Sequence, residues 1–181
     1  DHLKHCIKSL KKNLLFKKIN FFIFQDALKV KNEKILKKYK ALYEELPNNF
    51  IIIKRKKNYG LKKNIISGIS QILIKYKNII VCEDDLVFHK NFIYYMNKML
   101  TKYEKFDNIS CVSGFSYAHE HQLKHFPNEY LLSLTSSWGW ATWGKYWKKF
   151  QKSNLTQKKK NYLIIKKLRI FLIMMGLNHI L

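Results

Sequence analysis

The sequence predicts an α/β fold built on a doubly wound, mostly parallel sheet. Short, nearly continuous apolar runs rich in Ile, Val and Phe alternate with longer segments whose apolar residues recur at helical spacing. Strands with so few polar residues are buried on both faces, as they are in a parallel sheet covered by helices. With 181 residues and 47% hydrophobic content, the chain is long enough to bury one sizeable core.

Taken in order, the segments begin with a helix. Leu3, Ile7 and Leu10 recur at helical spacing behind Asp1, a residue type that caps helices well. Further helices are predicted at 32–46, 61–76 and 90–106, and strands at 19–26, 49–55, 78–83 and 108–115. A helix in such a fold normally follows a strand, so we expect that a first strand has been lost before Asp1 and that the chain is a fragment.

The alternation of strands and helices ends near residue 115, and we divide the chain there. Residues 1–115 are the predicted α/β part, and 116–181 are a second segment of the same domain. Within the second segment, 154–177 contains no acid and is predicted to be helical. Its cations interrupt apolar residues, which favours helix packing and leaves contact with a membrane surface as an alternative.

The net charge of +23, from 35 basic and 12 acidic residues, first suggests a nucleic-acid binder. Arg55 and Arg169 are the only arginines, and the lysines are spread along the whole chain. Proteins that read DNA specifically favour Arg for its bidentate geometry, so we expect no nucleic-acid partner. The positive field still attracts a phosphate-bearing substrate or an anionic membrane.

Cys6, Cys82 and Cys111 lie inside apolar segments without metal-type spacing. This arrangement predicts reduced thiols and a cytoplasmic protein, with the inner face of the membrane as a further possibility. No apolar stretch is long enough to cross a bilayer, and no secretory signal precedes the first helix.

Three consecutive carboxylates, Glu83, Asp84 and Asp85, directly follow the third predicted strand. Asp26 and Arg55 end the first and second predicted strands, and the carboxyl ends of parallel strands meet at one edge of a sheet, where ligands bind. Paired carboxylates in a basic protein suit Mg²⁺ or Mn²⁺ shared with substrate phosphates. The alternative is a solvated acidic turn paired with nearby lysines.

The segment 54–68, KRKKNYGLKKNIISG, leads from the second strand into a helix. Asn58 and Gly60 there offer backbone amides beside cations, which is a weak phosphate-binding pattern. A basic loop in which the glycine allows the turn is the alternative.

The four tryptophans lie within SSWGWATWGKYW, residues 136–147. Trp140, Trp143 and Trp147 have the spacing of one helix face, which predicts core packing on a helix. Trp138 precedes that helix and is the candidate for stacking on a sugar ring, while Gly139 permits a close backbone approach.

AHEHQLKH, residues 118–125, gathers three histidines, His119, His121 and His125, around Glu120. Without a second ligand set at a recognised spacing, a surface loop that could close over a substrate is favoured over a zinc site.

These motifs, in this order, resemble bacterial GT-A fold glycosyltransferases of the family 2 type, and are similar to N-acetylglucosaminyltransferase I. The resemblance rests on FIFQDALK, KRKKNYGLKKNIISGI, IIVCEDDLVFHKNFIYYMNKML, ISCVSGFSY and SSWGWATWGKYWKKF, and covers roughly residues 1 to 150. It implies an enzyme of polysaccharide biosynthesis that uses a nucleotide-sugar, most readily a UDP-sugar, with Mn²⁺ or Mg²⁺. Residues 1–115 would bind the donor, and 116–181 would form the acceptor side.

The resemblance also implies roles for single residues. Glu83, Asp84 and Asp85 resemble the acidic metal motif of the family, in which Asp85 would be the direct metal ligand and Asp84 would lie nearer the ribose or sugar. Asp26 would contact the nucleotide base, and the nucleotide-binding set would be completed by Arg55, Asn58 and Gly60. Trp138 and Gly139 would contact acceptor or sugar.

Transfer with inversion requires a carboxylate base, for which Glu120 and Glu129 are weak candidates, and we expect it instead in a missing C-terminal part. The acceptor is expected to be a glycan or a lipid-linked molecule. Two alternatives stay open: a non-catalytic basic module that binds nucleic acid or an anionic membrane, and a metal-dependent nucleotidyltransferase.

Overall fold

The computed structural model describes residues 2–116, 129–156 and 170–174. The helices are α1 (His2–Lys11), α2 (Glu33–Glu44), α3 (Leu61–Ile72), α4 (Phe92–Tyr103) and α5 (Gly144–Thr156), with a 3₁₀ turn at Phe16–Lys18. The strands are β1 (Phe21–Gln25), β2 (Phe50–Lys54), β3 (Asn78–Glu83), β4 (Cys111–Ser113), β5 (Trp140–Trp143) and β6 (Ile170–Met174). The first four predicted strands and first four predicted helices are all confirmed.

One six-stranded sheet has the order β2-β1-β6-β3-β5-β4. β1 and β2 pair in parallel, while β6 runs antiparallel to both β1 and β3, and β5 antiparallel to both β3 and β4. The four strands of the α/β part therefore all point the same way, and two strands from the second segment are inserted against them. The α/β class is confirmed.

The C-terminal helix prediction was wrong at Ile170–Met174, although 154–156 do form the end of α5. Ile170–Met174 is a strand, IFLIM, in the middle of the sheet. The periodicity of a short, fully apolar run fits a buried strand and a buried helix equally well. The lysine-rich residues before this run extended the helical pattern, although its β-branched and aromatic residues favour a strand. Residues 157–169 and 175–181 lie outside the described part of the chain.

The helices cover both faces of the sheet because alternate side chains of each strand point in opposite directions. Phe21 and Ile23 of β1 pack in a core with α1, α2 and α4, whereas Phe22 and Phe24 pack with α3 and α5. β1 is buried along its whole length, in agreement with the nearly continuous apolar runs from which the fold class was predicted.

The helix ends follow local chemistry. The Asn32 side chain caps α2 by accepting a hydrogen bond from the Ile35 amide at 3.1 Å. α3 begins directly after Gly60, whose φ of 72° and ψ of 160° form a backbone conformation that is essentially restricted to glycine. The chain therefore turns abruptly from the basic loop into α3.

The prediction of one helix face for the tryptophans was wrong, although their place in the core is confirmed. Trp140 and Trp143 belong to β5 and point to opposite faces of the sheet, and only Trp147 is on a helix, α5. Trp143 donates to the carbonyl of Leu100 at 3.2 Å, and Trp147 donates to the Ser70 hydroxyl at 2.9 Å. Each buried indole N–H is thus satisfied.

Within the described residues, no helix is long and apolar enough to span a membrane. The three cysteines are free thiols, and Cys6 and Cys82 are buried.

Candidate functional site

The carboxyl ends of three strands meet at one edge of the sheet. Gln25 at the end of β1 is in register with Lys54 of β2 and with Ile170 of β6, and Glu83 of β3 is in register with Phe171. Since β6 separates β1 from β3, the two strand ends are about 10 Å apart. The predicted site residues on these strands are therefore close enough to border one ligand.

Asp26 is placed directly after β1 and is only 4% exposed. Its carboxylate accepts hydrogen bonds at 2.8 Å from the backbone amides of Tyr59 and Gly60, and one of its oxygens also accepts from the Ala27 amide at 3.0 Å. Asp26 thus joins the end of β1 to the turn that opens α3. Its predicted contact with a nucleotide base stays a prediction.

Asn58 and Gly60 lie in this same turn. The Asn58 side chain donates to the carbonyl of Ala27, and a Cβ built on Gly60 would meet no atom within 4 Å. Glycine is therefore required at position 60 because of the backbone conformation and not because a side chain would be crowded. Open space lies in front of it.

Arg55 follows β2 and is rigidly held. It donates from Nε to Asn64 at 2.8 Å and from Nη2 to Ser67 at 2.9 Å, and its guanidinium lies over the rings of Phe24 and Tyr59 at 4.9 and 5.2 Å. Because the Arg55 guanidinium is already fixed beside the Asn58–Gly60 turn, little side-chain conformational entropy would be lost when an anion binds to it.

The three acids differ in environment. Glu83 is half-buried, and the Ser137 side chain hydrogen-bonds to its carboxylate. Asp84 is half-buried, with one carboxylate oxygen, Oδ1, that is buried and has no hydrogen-bond partner, whereas Asp85 is exposed. The cluster therefore offers one buried and one solvent-facing carboxylate side by side.

Burial and the neighbouring charge of Asp85 make Glu83 and Asp84 reluctant to ionise. Burial, followed by the charge of Asp85, raises the pKa of Asp84 from its ordinary 3.8 to about 7. Burial also raises the pKa of Glu83, against the lowering effect of its hydrogen bond with Ser137. A bound cation would remove this repulsion.

Tyr43 of α2 is hydrogen-bonded to the end of β1 and is influenced by the charge of Asp84. The Tyr43 hydroxyl donates to Gln25 Oε1 at 3.0 Å. Burial raises the pKa of Tyr43, and the charges of Tyr39 and Asp84 add to the effect. Tyr43 therefore stays a neutral hydrogen-bond donor between the strand ends.

Two polar residues of the α1 segment hold the chain that follows the acids, and sequence analysis missed them. The Ser9 hydroxyl accepts from the Phe88 amide at 3.0 Å, and Asn13 Oδ1 accepts from the Ile93 amide at 3.0 Å near the start of α4. Both side chains are buried. The available signal was their position four residues apart on a helix face that is otherwise apolar.

The acids fit a divalent cation by donor type. Carboxylate oxygens are the ligands preferred by Mg²⁺ and Mn²⁺, and the unpartnered oxygen of Asp84 is costly to bury without a partner. In the described part of the chain, no group of three or more His, Cys, Asp or Glu side chains is arranged to hold a metal. A cation here would thus depend on other oxygens, such as those of a diphosphate, to complete its coordination.

A cavity of about 510 Å³ lies beside the acids, bordered by the chain from Leu86 to Phe92 and by Trp138. Trp138 is 52% exposed and meets Phe115 edge to face, with ring centroids 4.7 Å apart. Gly139 has a φ of 74°, and a Cβ there would be 3.0 Å from the Phe92 ring. Trp138 is therefore accessible and Gly139 packs closely against Phe92, while their predicted contacts with acceptor or sugar stay predictions.

Glu129 borders a different cavity from the one beside Trp138. It forms an ion pair with Lys102 of α4, which lowers the pKa of its carboxyl, and it borders a second cavity of about 580 Å³. A carboxylate held by a lysine is a weak proton acceptor. Glu120 and the three histidines near it lie outside the described residues.

Comparison with known proteins gives one family. A model of the family described as glycosyl transferase family 2 matches residues 1–171. No curated protein and no solved structure matches the chain.

Proposed function

This chain belongs to glycosyl transferase family 2, whose fold is the GT-A nucleotide-sugar-binding α/β fold, and we propose that it is a metal-dependent, inverting glycosyltransferase. The donor would be a nucleotide diphosphate-sugar, most readily a UDP-sugar, and the acceptor a hydroxyl of a glycan or lipid-linked molecule. The observation that carries the proposal is the buried, unpartnered oxygen of Asp84 beside exposed Asp85, at the same sheet edge as Arg55.

The basic side of the site would bind the nucleotide. Arg55 is held in place by two hydrogen bonds and two aromatic rings, so its charge is preorganised for a phosphate or ribose oxygen. The turn at Asn58 and Gly60 is fixed by Asp26, and it leaves open space in front of Gly60. We propose that the nucleotide lies across this turn, with Asp26 close to the base.

The acidic side would hold the diphosphate through a cation. When bound, Mn²⁺ or Mg²⁺ neutralises charge that builds up on the departing diphosphate. Asp85 is proposed as the direct ligand because it is exposed, and the half-buried Asp84 is proposed to lie nearer the ribose or sugar. Ser137 orients Glu83, and through this bond the SSWGW turn is joined to the acids.

The acceptor would enter through the cavity beside Trp138. The exposed indole face can stack on the C–H groups of a sugar ring, and the preceding turn is fixed by the close packing of Gly139 against Phe92. Attack of an acceptor hydroxyl on the anomeric carbon breaks the bond to the diphosphate, and the hydroxyl proton passes to a base. The ion pair of Glu129 argues against that residue, and Glu120 stays a candidate.

We place the reaction in the cytoplasm, at the inner face of the membrane when the acceptor is lipid-linked. The free thiols of the three cysteines support a reducing compartment.

A screen of nucleotide-sugars with and without Mn²⁺ tests the proposal. The expected result is metal-dependent hydrolysis or transfer of one donor with release of a nucleoside diphosphate. Release of pyrophosphate from a nucleoside triphosphate would instead identify a nucleotidyltransferase, and oligonucleotide binding that is unchanged in Asp84→Asn and Asp85→Asn would support a non-catalytic basic module.

A further inference from the structure

Exposed apolar side chains are concentrated on one side of the molecule. Among the described residues, eight of the 14 exposed large hydrophobic side chains lie between positions 87 and 138. Six of these border the two cavities, and we call them the apolar face: Val87, Phe115, Leu131, Leu132, Leu134 and Trp138. Scattered exposed apolar residues are normal, but a group of this kind marks a binding surface.

The apolar face is continuous. The two cavities share Tyr95, Gly114 and Phe115 as lining residues, and the Phe115 and Trp138 rings are in contact. Three leucines form its far end, with Leu131, Leu132 and Leu134 exposed by 66%, 55% and 72%. Side chains this exposed project from the surface instead of lining a deep pocket.

Lysines surround this surface. Lys90 lies between two residues that border the smaller cavity, and Lys102 pairs with Glu129, which borders the larger one. Lys98 is one turn before Lys102 on α4, and its charge helps to lower the pKa of Glu129. The net charge of the chain, +23, adds a long-range positive field.

We propose that the apolar face docks on an anionic lipid bilayer. The three leucines and Trp138 would enter the interfacial region, and Lys90 and Lys98 would meet lipid phosphates. Exposed leucines with lysines nearby match such a bilayer surface in both polarity and charge. Nucleic acid would offer no apolar region for the leucines.

Docking in this way would also place the site at the membrane. Asp85 is followed directly by Leu86, which borders the smaller cavity together with Val87 and Trp138 of the apolar face, so the acids adjoin that face. A membrane-anchored acceptor could then reach the site without leaving the bilayer. This last step rests on the proposed glycosyl transfer, whereas the docking itself does not.

Vesicle sedimentation without nucleotide or metal tests the docking alone. The probes are vesicles of phosphatidylcholine and vesicles with an equal share of phosphatidylglycerol. We expect wild type to bind the anionic vesicles and to be released by salt. Leu131→Asp with Leu134→Asp should weaken binding roughly tenfold for each leucine, while Ile74→Asp, at an 82% exposed position after α3 on the other face of the sheet, should not change it.

A second pair of variants keeps the apolar residues intact. Lys90→Gln with Lys98→Gln should weaken binding by about fivefold per lysine, and Lys75→Gln with Lys77→Gln should have a clearly smaller effect. The proposal is overturned if wild type does not bind anionic vesicles. It is also overturned if Ile74→Asp and the Lys75→Gln, Lys77→Gln variant lose as much vesicle binding as the leucine and lysine variants to which they are matched. Retention of vesicle binding by Asp85→Asn would separate docking from the transfer reaction.

Discussion

The raised pKa of Asp84 makes a prediction about stability that needs no substrate. A carboxyl whose pKa is about 7 in the folded protein and 3.8 in the unfolded chain binds more protons when folded throughout that interval. Folding stability therefore falls as pH rises from about 4 to about 7, and the loss is complete above the folded pKa. Asp84→Asn removes the group that titrates.

The size of the effect follows from the shift. If the whole pKa shift contributed to stability, the free energy of unfolding would be lower by about 4 kcal/mol above pH 7 than near pH 4. Because Asp84 is only half-buried and solvent screens its repulsion with Asp85, we expect Asp84→Asn to stabilise the fold by about 2 kcal/mol at pH 8. Near pH 4 the variant and wild type should be almost equally stable.

Urea unfolding at a series of pH values between 4 and 8 measures this difference. Asp107→Asn is the matched control, because Asp107 is an exposed acid that pairs with Lys145 far from the cluster in sequence. Addition of Mn²⁺ at pH 8 should restore stability to wild type and much less to Asp84→Asn. Equal stability of the variant and wild type at pH 8, or a variant that is less stable there, would refute the assignment of Asp84 as a buried, repelled carboxylate.

Three further substitutions test how the site is held. Gly114→Ala would overlap the ring of Phe92 and should lower the unfolding free energy by about 1–3 kcal/mol in urea titrations. Gly60→Ala meets no neighbour, so its cost of about 1–2 kcal/mol comes from the backbone alone, and calorimetry should show weaker nucleotide binding; unchanged stability would contradict the left-handed turn. Asn13→Ala removes the acceptor of the Ile93 amide and the donor to the Ser9 carbonyl, so it should cost about 1–3 kcal/mol; an unchanged unfolding free energy would refute these hydrogen bonds.

The sheet edge and its polar residues were predictable from sequence because each strand is a short apolar run that ends in a polar residue. Gln25 and Asp26, Lys54 and Arg55, and Glu83 mark three such ends, and parallel topology brings them together. The residue types alone left a solvated acidic turn and a basic loop open as alternatives, and it was the family resemblance that favoured a nucleotide and metal site.

Features that depend on tertiary context were not predictable. The i, i+3 spacing of Trp140 and Trp143 fits a helix, but in a four-residue strand the same spacing places them on opposite faces. Only the pairing with β3 and β4 selects the strand. β6 depends on two partners that are distant in sequence. The bonds from Ser9 and Asn13 join residues about 80 positions apart, which no local pattern records.

The central claim is that exposed Asp85 binds a cation that in turn binds a nucleoside diphosphate. Calorimetric titration of UDP into the protein with and without Mn²⁺, in wild type and Asp85→Asn, tests it most directly. We predict that wild type binds UDP only in the presence of Mn²⁺ and that Asp85→Asn weakens this binding at least tenfold, with Asp107→Asn unaffected. Binding of UDP that is independent of Mn²⁺, or equal in wild type and Asp85→Asn, would contradict the account.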